Sequence, residues 1–217
     1  LGFFAFNMQD VLLEPYGGEI LRLTVGHTTA LTGIMAAGAI ASFATSALLL
    51  ERGLDPVRLA ALGAALGVLA FAMVVFAAPL DSAALFRAGT CLIGYGEGSF
   101  GVGTLCAAMA LRDGAAGGPA GPTRAGIALG AWGAVFATAE GVALSVSGII
   151  KDALSTPAAH ALLGPALSTP SVPYSVVYHL EILFLFATLV ALGPLAAARG
   201  ERAGGAGRRF ELADVPA

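Results

Sequence analysis

Two uncharged apolar runs constrain this chain more than any other feature. Thr28–Leu50 and Leu59–Leu80 each extend for more than twenty residues without an Asp, Glu, Lys or Arg. A helix rises about 1.5 Å per residue, so about 20 apolar residues cross a hydrocarbon core of about 30 Å. One such run could lie in the core of a large soluble protein. Two, separated by only eight residues, could not both be hidden in a domain of this size. Composition agrees. The 217 residues are 57% hydrophobic and 12% charged, with a mean hydropathy of +0.84, against about 25% charged in an ordinary soluble domain. The expected fold is therefore all-α: a polytopic transmembrane bundle with lipid as the solvent for much of its surface.

Six spans can be drawn. The first runs from Leu1 into the Leu12–Leu13 region, the second over His27–Leu50 and the third over Leu59–Ala78. The fourth covers Ala83–Leu111, interrupted by Arg87 and Glu97. The fifth covers Ala125–Ile150, interrupted by Glu140, and the sixth Val176–Ala198, with His179 and Glu181 near its start. This divides the chain into a membrane domain, 1–198, and a polar tail, 199–217, expected to be poorly ordered. The opening LGFFAFNMQD has neither an initiator Met nor a basic leader, and reads as a piece of a longer protein. Eight arginines fall on alternate connections: Arg52, Arg58, Arg112, Arg124, Arg199, Arg202, Arg208 and Arg209. The positive-inside bias makes that side cytoplasmic, with both chain ends on it. Asp113–Pro122 reads as a flexible cytoplasmic link. Ala153–Ser175 is uncharged but holds four prolines, which argues for an external loop rather than a further span.

Several function classes find no support. The net charge is −3, which gives no basic surface for nucleic acid. Cys91 and Cys106 lie about four turns apart in one stretch and read as packing residues. No metal-ligand spacing and no nucleophile–base pair is present. Gly96-Glu-Gly98-Ser-Phe-Gly101 has the spacing of a dinucleotide loop but lacks the strand and helix start that this motif requires. It reads instead as a flexible or bent, closely packed part of the fourth helix. The four-residue pairs Gly63/Gly67, Gly94/Gly98 and Gly126/Gly130 are expected to let helices approach within the bundle.

Ionisable groups inside spans are costly, roughly 2.5–3.5 kcal/mol each on an insertion scale, and so point to function. Glu97 and Glu140 look deepest, with Glu181 nearer a membrane face. They suit either a proton relay or polar-ligand site, or structural hydrogen bonding. His179 could ligate the magnesium of a chlorin, but an interfacial histidine bonded to backbone explains it more simply. Met8-Gln9-Asp10-Val-Leu-Leu-Glu14-Pro15-Tyr16-Gly17-Gly18-Glu19 is the most unusual segment. Asp10 and Glu14, four apart, would share a helix face. Pro15 would interrupt that helix, and Gly17–Gly18 would allow a tight turn, giving a rigid acidic corner near the external face.

This twelve-residue phrase resembles the signature of the PucC/LhaA family, the bacteriochlorophyll-delivery branch of the major facilitator superfamily. VGHTTALT, from Val25, resembles that family's next helix start, and RRFELADVP resembles its C-terminal tail. The resemblance implies the second half of a twelve-span, major-facilitator-type protein. It implies a non-enzymatic assembly factor for light-harvesting antenna complexes in the inner, intracytoplasmic membrane of photosynthetic bacteria. Bacteriochlorophyll would be its cargo, antenna polypeptides and pigment-synthesis enzymes its partners, and the lipid bilayer its medium. Glu97, Glu140, His179 and Glu181 are the candidate polar or pigment contacts, beside the signature residues. The alternative is a proton-coupled secondary transporter using Glu97 and Glu140.

Overall fold

The computed structural model describes the backbone of residues 1–115, 122–156, 164 and 169–208, and side chains of 1–110, 126–156, 164 and 169–196. Among the described residues the protein is entirely helical, with no strand. Its helices are α1 (Gly2–Asn7), α2 (Leu13–Glu19), α3 (Val25–Glu51), α4 (Pro56–Ala77), α5 (Ala83–Ala115), α6 (Pro122–Leu154) and α7 (Val172–Arg208). Four stretches are long and apolar enough to cross a membrane: Val25–Glu51, Pro56–Ala77, Gly126–Leu154 and Val172–Ala196. The expected count of six is therefore not reproduced. α5 has the length, but Arg87, Glu97 and its glycines make it less apolar. The expected first span is divided into α1 and α2 by a run of turns at Met8–Leu12.

Local chemistry sets the helix ends. α3 stops in a Schellman arrangement: the Gly53 N–H donates to the Leu50 carbonyl (2.9 Å) and the Leu54 N–H to that of Leu49 (3.0 Å). Gly53 takes the left-handed φ of 86° that this motif needs. Asp55 then caps α4, accepting from the Val57 N–H at 2.8 Å, with Pro56 at the first helical position. Pro173, similarly, sits in the first turn of α7, where no hydrogen bond is lost. That helix continues through Arg208, past the boundary expected at Ala198. The proline-rich stretch 157–163 and 165–168, the tips of the Asp113–Pro122 link, and the arginines from Arg112 onward lie outside the described side chains or backbone.

α5 is the axis of the bundle. α3 runs parallel to it: a Cβ on Gly38 would stand 2.0 Å from the Cys91 carbonyl, and one on Gly94 2.0 Å from that of Met35. α4 runs antiparallel on its other side, with Gly63 against the Gly96 carbonyl and Phe100, and Gly103 against Ala60. The GYGEGSFGVG stretch is thus a continuous helix, not a bend, with glycine on each packing face because two backbones approach it. Helices in lipid gain little from hydrophobicity and associate through such close contact. The third pair behaves differently: Gly126 and Gly130 on α6 have open space where a side chain would be. Cys91 and Cys106 are both free thiols.

α1 and α2 thread the middle. Phe3, Phe6, Met8, Leu12, Leu13 and Tyr16 are buried against α4, α5, α6 and α7. Large apolar side chains face outward around the bundle, among them Ile40, Leu69, Phe76, Ile149, Leu183 and Val190, the last 75% exposed. That surface is suited to lipid tails, and the protein is a multi-pass membrane protein.

Candidate functional site

The signature segment forms two structures rather than one corner. Met8 and Gln9 are fully buried in the turn between α1 and α2. Pro15 lies in the first turn of α2 instead of interrupting a helix, where proline is tolerated. Gly17 and Gly18 lie within α2, and the tight turn follows at Ile20–Thr24, where Arg22 has a φ of 53°. Gly17 has a packing reason: a Cβ there would meet Phe86 and Leu31 at 3.2 and 3.3 Å. Asp10 and Glu14 do not share a helix face, because the turn separates them. Glu14 points to α3, accepting from the Thr32 hydroxyl at 2.9 Å. Asp10, in the turn, is exposed and accepts from the Gln9 side-chain amide.

Asp10 lies within electrostatic range of candidate carboxylates on three other helices. Its charge is close enough to act on Glu97 of α5 and Glu181 of α7, and to interact with Glu140 of α6. The break between α1 and α2 makes this possible, since a continuous helix would have carried residue 10 around its own axis. Sequence spacing named Glu97, Glu140 and Glu181 separately; only the fold brings them to Asp10. Glu181 is 0% exposed, whereas Glu97 and Glu140 are partly exposed.

Glu97 is partly exposed because it lines a cavity of about 400 Å³ between α1, α3, α5 and α6. The remaining walls are Phe3, Ala39, Phe43, Gly98, Gly101, Val102, Leu105, Trp132 and Phe136. Trp132 and Phe136, one turn apart on α6, lie nearly parallel, at 8° and 5.7 Å between centroids. Phe3 stands edge-on to both, at 5.5 and 4.9 Å. The Trp132 indole N–H donates to the Thr104 hydroxyl at 3.3 Å. Such a chamber, apolar and aromatic with one acidic group, suits a flat, largely apolar guest carrying a polar edge. The aromatic lining was missed in the sequence, because Phe3, Phe43, Trp132 and Phe136 come from three helices with no common spacing.

His179 takes no part in the cavity. It is exposed, and its Nδ1–H donates to the Ser175 carbonyl at 2.6 Å. Near it, at the start of α7, the Tyr174 hydroxyl donates to Glu19 at 2.7 Å, tying α2 to α7. Tyr16 is buried between Phe86, Tyr174 and Tyr178, with centroids 5.4–5.5 Å away. Among the described residues no group of three or more His, Cys, Asp or Glu side chains could hold a metal ion.

Fold and site together define a multi-pass helical membrane protein with an aromatic intramembrane chamber and a set of converging carboxylates. The family is specific: residues 1–200 match the model of the family described as "PUCC protein", and the chain belongs to that family. It is 46% identical over 195 residues to the Rhodobacter capsulatus "Uncharacterized protein in puhA-bchM intergenic region", covering 90% of this chain and 39% of that protein. It is 42% identical over 197 residues to Protein PucC of Cereibacter sphaeroides, covering 90% and 40%. The "Bacteriochlorophyll synthase 44.5 kDa chain" of Rhodobacter capsulatus is 33% identical over 147 residues, 65% of this chain and 32% of that one. The chain thus spans about 40% of the length of the first two relatives. No solved structure matches it.

Proposed function

We propose that this chain is part of a non-enzymatic membrane assembly factor for light-harvesting antenna complexes, which handles bacteriochlorophyll as cargo. Membership of the PUCC family over residues 1–200 carries the reading. One relative's printed name refers to bacteriochlorophyll synthase and another's to the puhA-bchM region, which favours a role beside pigment synthesis. The chamber supports the cargo: its aromatic walls offer faces and edges to a macrocycle, and Glu97 offers a single polar contact. Antenna polypeptides and pigment-synthesis enzymes are the partners, and the inner photosynthetic membrane is the setting. In this reading the bundle is the second half of a major-facilitator-type protein, completed by the additional length found in its relatives.

Deleting the gene should lower antenna complexes more than reaction centres, read from membrane absorption spectra; unchanged antenna levels would sink the proposal. Gly101→Phe tests the chamber itself. A Cβ at Gly101 meets only Phe3, at 3.9 Å, so a larger side chain has room to enter the cavity. The variant should remain in the membrane at normal abundance yet fail to restore antenna complexes. Full restoration would remove the chamber from the mechanism.

A further inference from the structure

The end of the bundle formed by α2 and the start of α7 buries polar atoms that have no hydrogen-bond partner among the described residues. Glu181 is 0% exposed and neither carboxylate oxygen has a hydrogen-bond partner. The Tyr178 hydroxyl and Gln9 Oε1 are likewise buried and unpartnered. These groups belong together. Tyr178 and Glu181 are three residues apart on one face of α7, Asp10 acts electrostatically on Glu181, and Gln9 donates to Asp10. A bare carboxylate enclosed in this way would cost several kcal/mol. A bound proton removes that cost, and internal water can serve the remaining oxygens.

A cluster of tyrosines adjoins the site. The Tyr178 ring packs on Tyr16, and Tyr16 on Tyr174. The Tyr174 hydroxyl donates to Glu19, which is exposed. Asp10 lies within electrostatic range of Glu140 and Glu97, and Glu97 is part of the chamber wall. The α1–α2 segment brings Asp10 and Tyr16, α5 brings Glu97 with Arg87 near its start, and α6 brings Glu140. Lys151 at the end of α6 sits 5.8 Å from the Tyr174 ring. The charged residue of α4, Arg58, is exposed in its first turn, and that of α3's first turn, His27, is also exposed.

We propose that Glu181, fully buried one turn from Tyr178 on α7, is a proton-exchange site at the α2–α7 end of the bundle. The step is a plain proton transfer: the Glu181 carboxylate gains a proton from hydronium reaching the site from solvent, leaving water, and returns it to water. No other bond changes. The proposal is independent of what the chamber carries.

The test is infrared spectroscopy of the purified protein in lipid nanodiscs, titrated from mildly acidic to alkaline pH and transferred to heavy water. A protonated-acid carbonyl band should fade as pH rises and shift in heavy water. Glu181→Gln should abolish it, and Glu181→Asp should restore it at a displaced frequency, which guards against a misfolded Gln variant. An acid band that neither titrates nor exchanges would overturn the proposal, as would a titrating band that survives Glu181→Gln.

Discussion

α5 and α6 are both 33 residues long and both carry glycines at helical spacing, yet they are held in opposite ways. α5 is gripped on two sides by backbone: Gly38, Gly63, Gly94 and Gly103 mark positions where a single Cβ would collide with a neighbouring main chain. α6 touches its neighbours through side chains instead. Trp132 and Phe136 pack on Phe3, while Gly126, Gly130, Gly133, Gly141 and Gly148 face open space. The same small-residue pattern therefore marks a crossing in one helix and a vacant face in the other. The chamber lies where the two kinds of packing meet, with a rigid wall from α5 and a side-chain wall from α6.

Three substitutions would break or sharpen this contrast. Phe3→Ala should have the largest effect, because Phe3 is the edge-on partner of Phe100, Trp132 and Phe136 at once. A buried Phe→Ala change costs about 3–5 kcal/mol, and loosening of α6 should move the fluorescence of Trp132, the single tryptophan, toward that of a less enclosed indole. An unaltered emission spectrum would mean that α6 is held by something other than this cluster. Gly94→Val comes next. Its side chain must displace the Met35 carbonyl, and overpacking of this kind costs about 1–3 kcal/mol, measurable as a lower thermal unfolding midpoint in detergent. Gly130→Val should change that midpoint least, by no more than the equivalent of about 0.5 kcal/mol. If Gly130→Val proved as harmful as Gly94→Val, the open face of α6 would have to be a packing face after all.

The signature segment shows how far residue types can be read and where the reading stops. Its polar content correctly singled out Met8–Glu19 as special. A helix period assigned Asp10 and Glu14 to one face, but the period holds only while the helix does. The turn at Met8–Leu12 leaves Asp10 exposed beside the Gln9 amide and gives Glu14 to Thr32 of α3. Burial depends on which neighbours arrive: Glu181 on α7 is fully covered, while α5 presents Glu97 to a cavity.

What the sequence determined by itself was the solvent, the helical class and the family. Long uncharged runs leave the backbone no satisfactory arrangement in lipid except helix, and twelve consecutive residues of unusual type carried the resemblance to the family. What only the tertiary structure decided was which groups share a site. Asp10, Glu97, Glu140 and Glu181 come from four parts of the chain with no common spacing, and so do the aromatic walls of the chamber. Their meeting depends on the angle and register at which helices pack, and those are set by contacts between residues far apart in sequence.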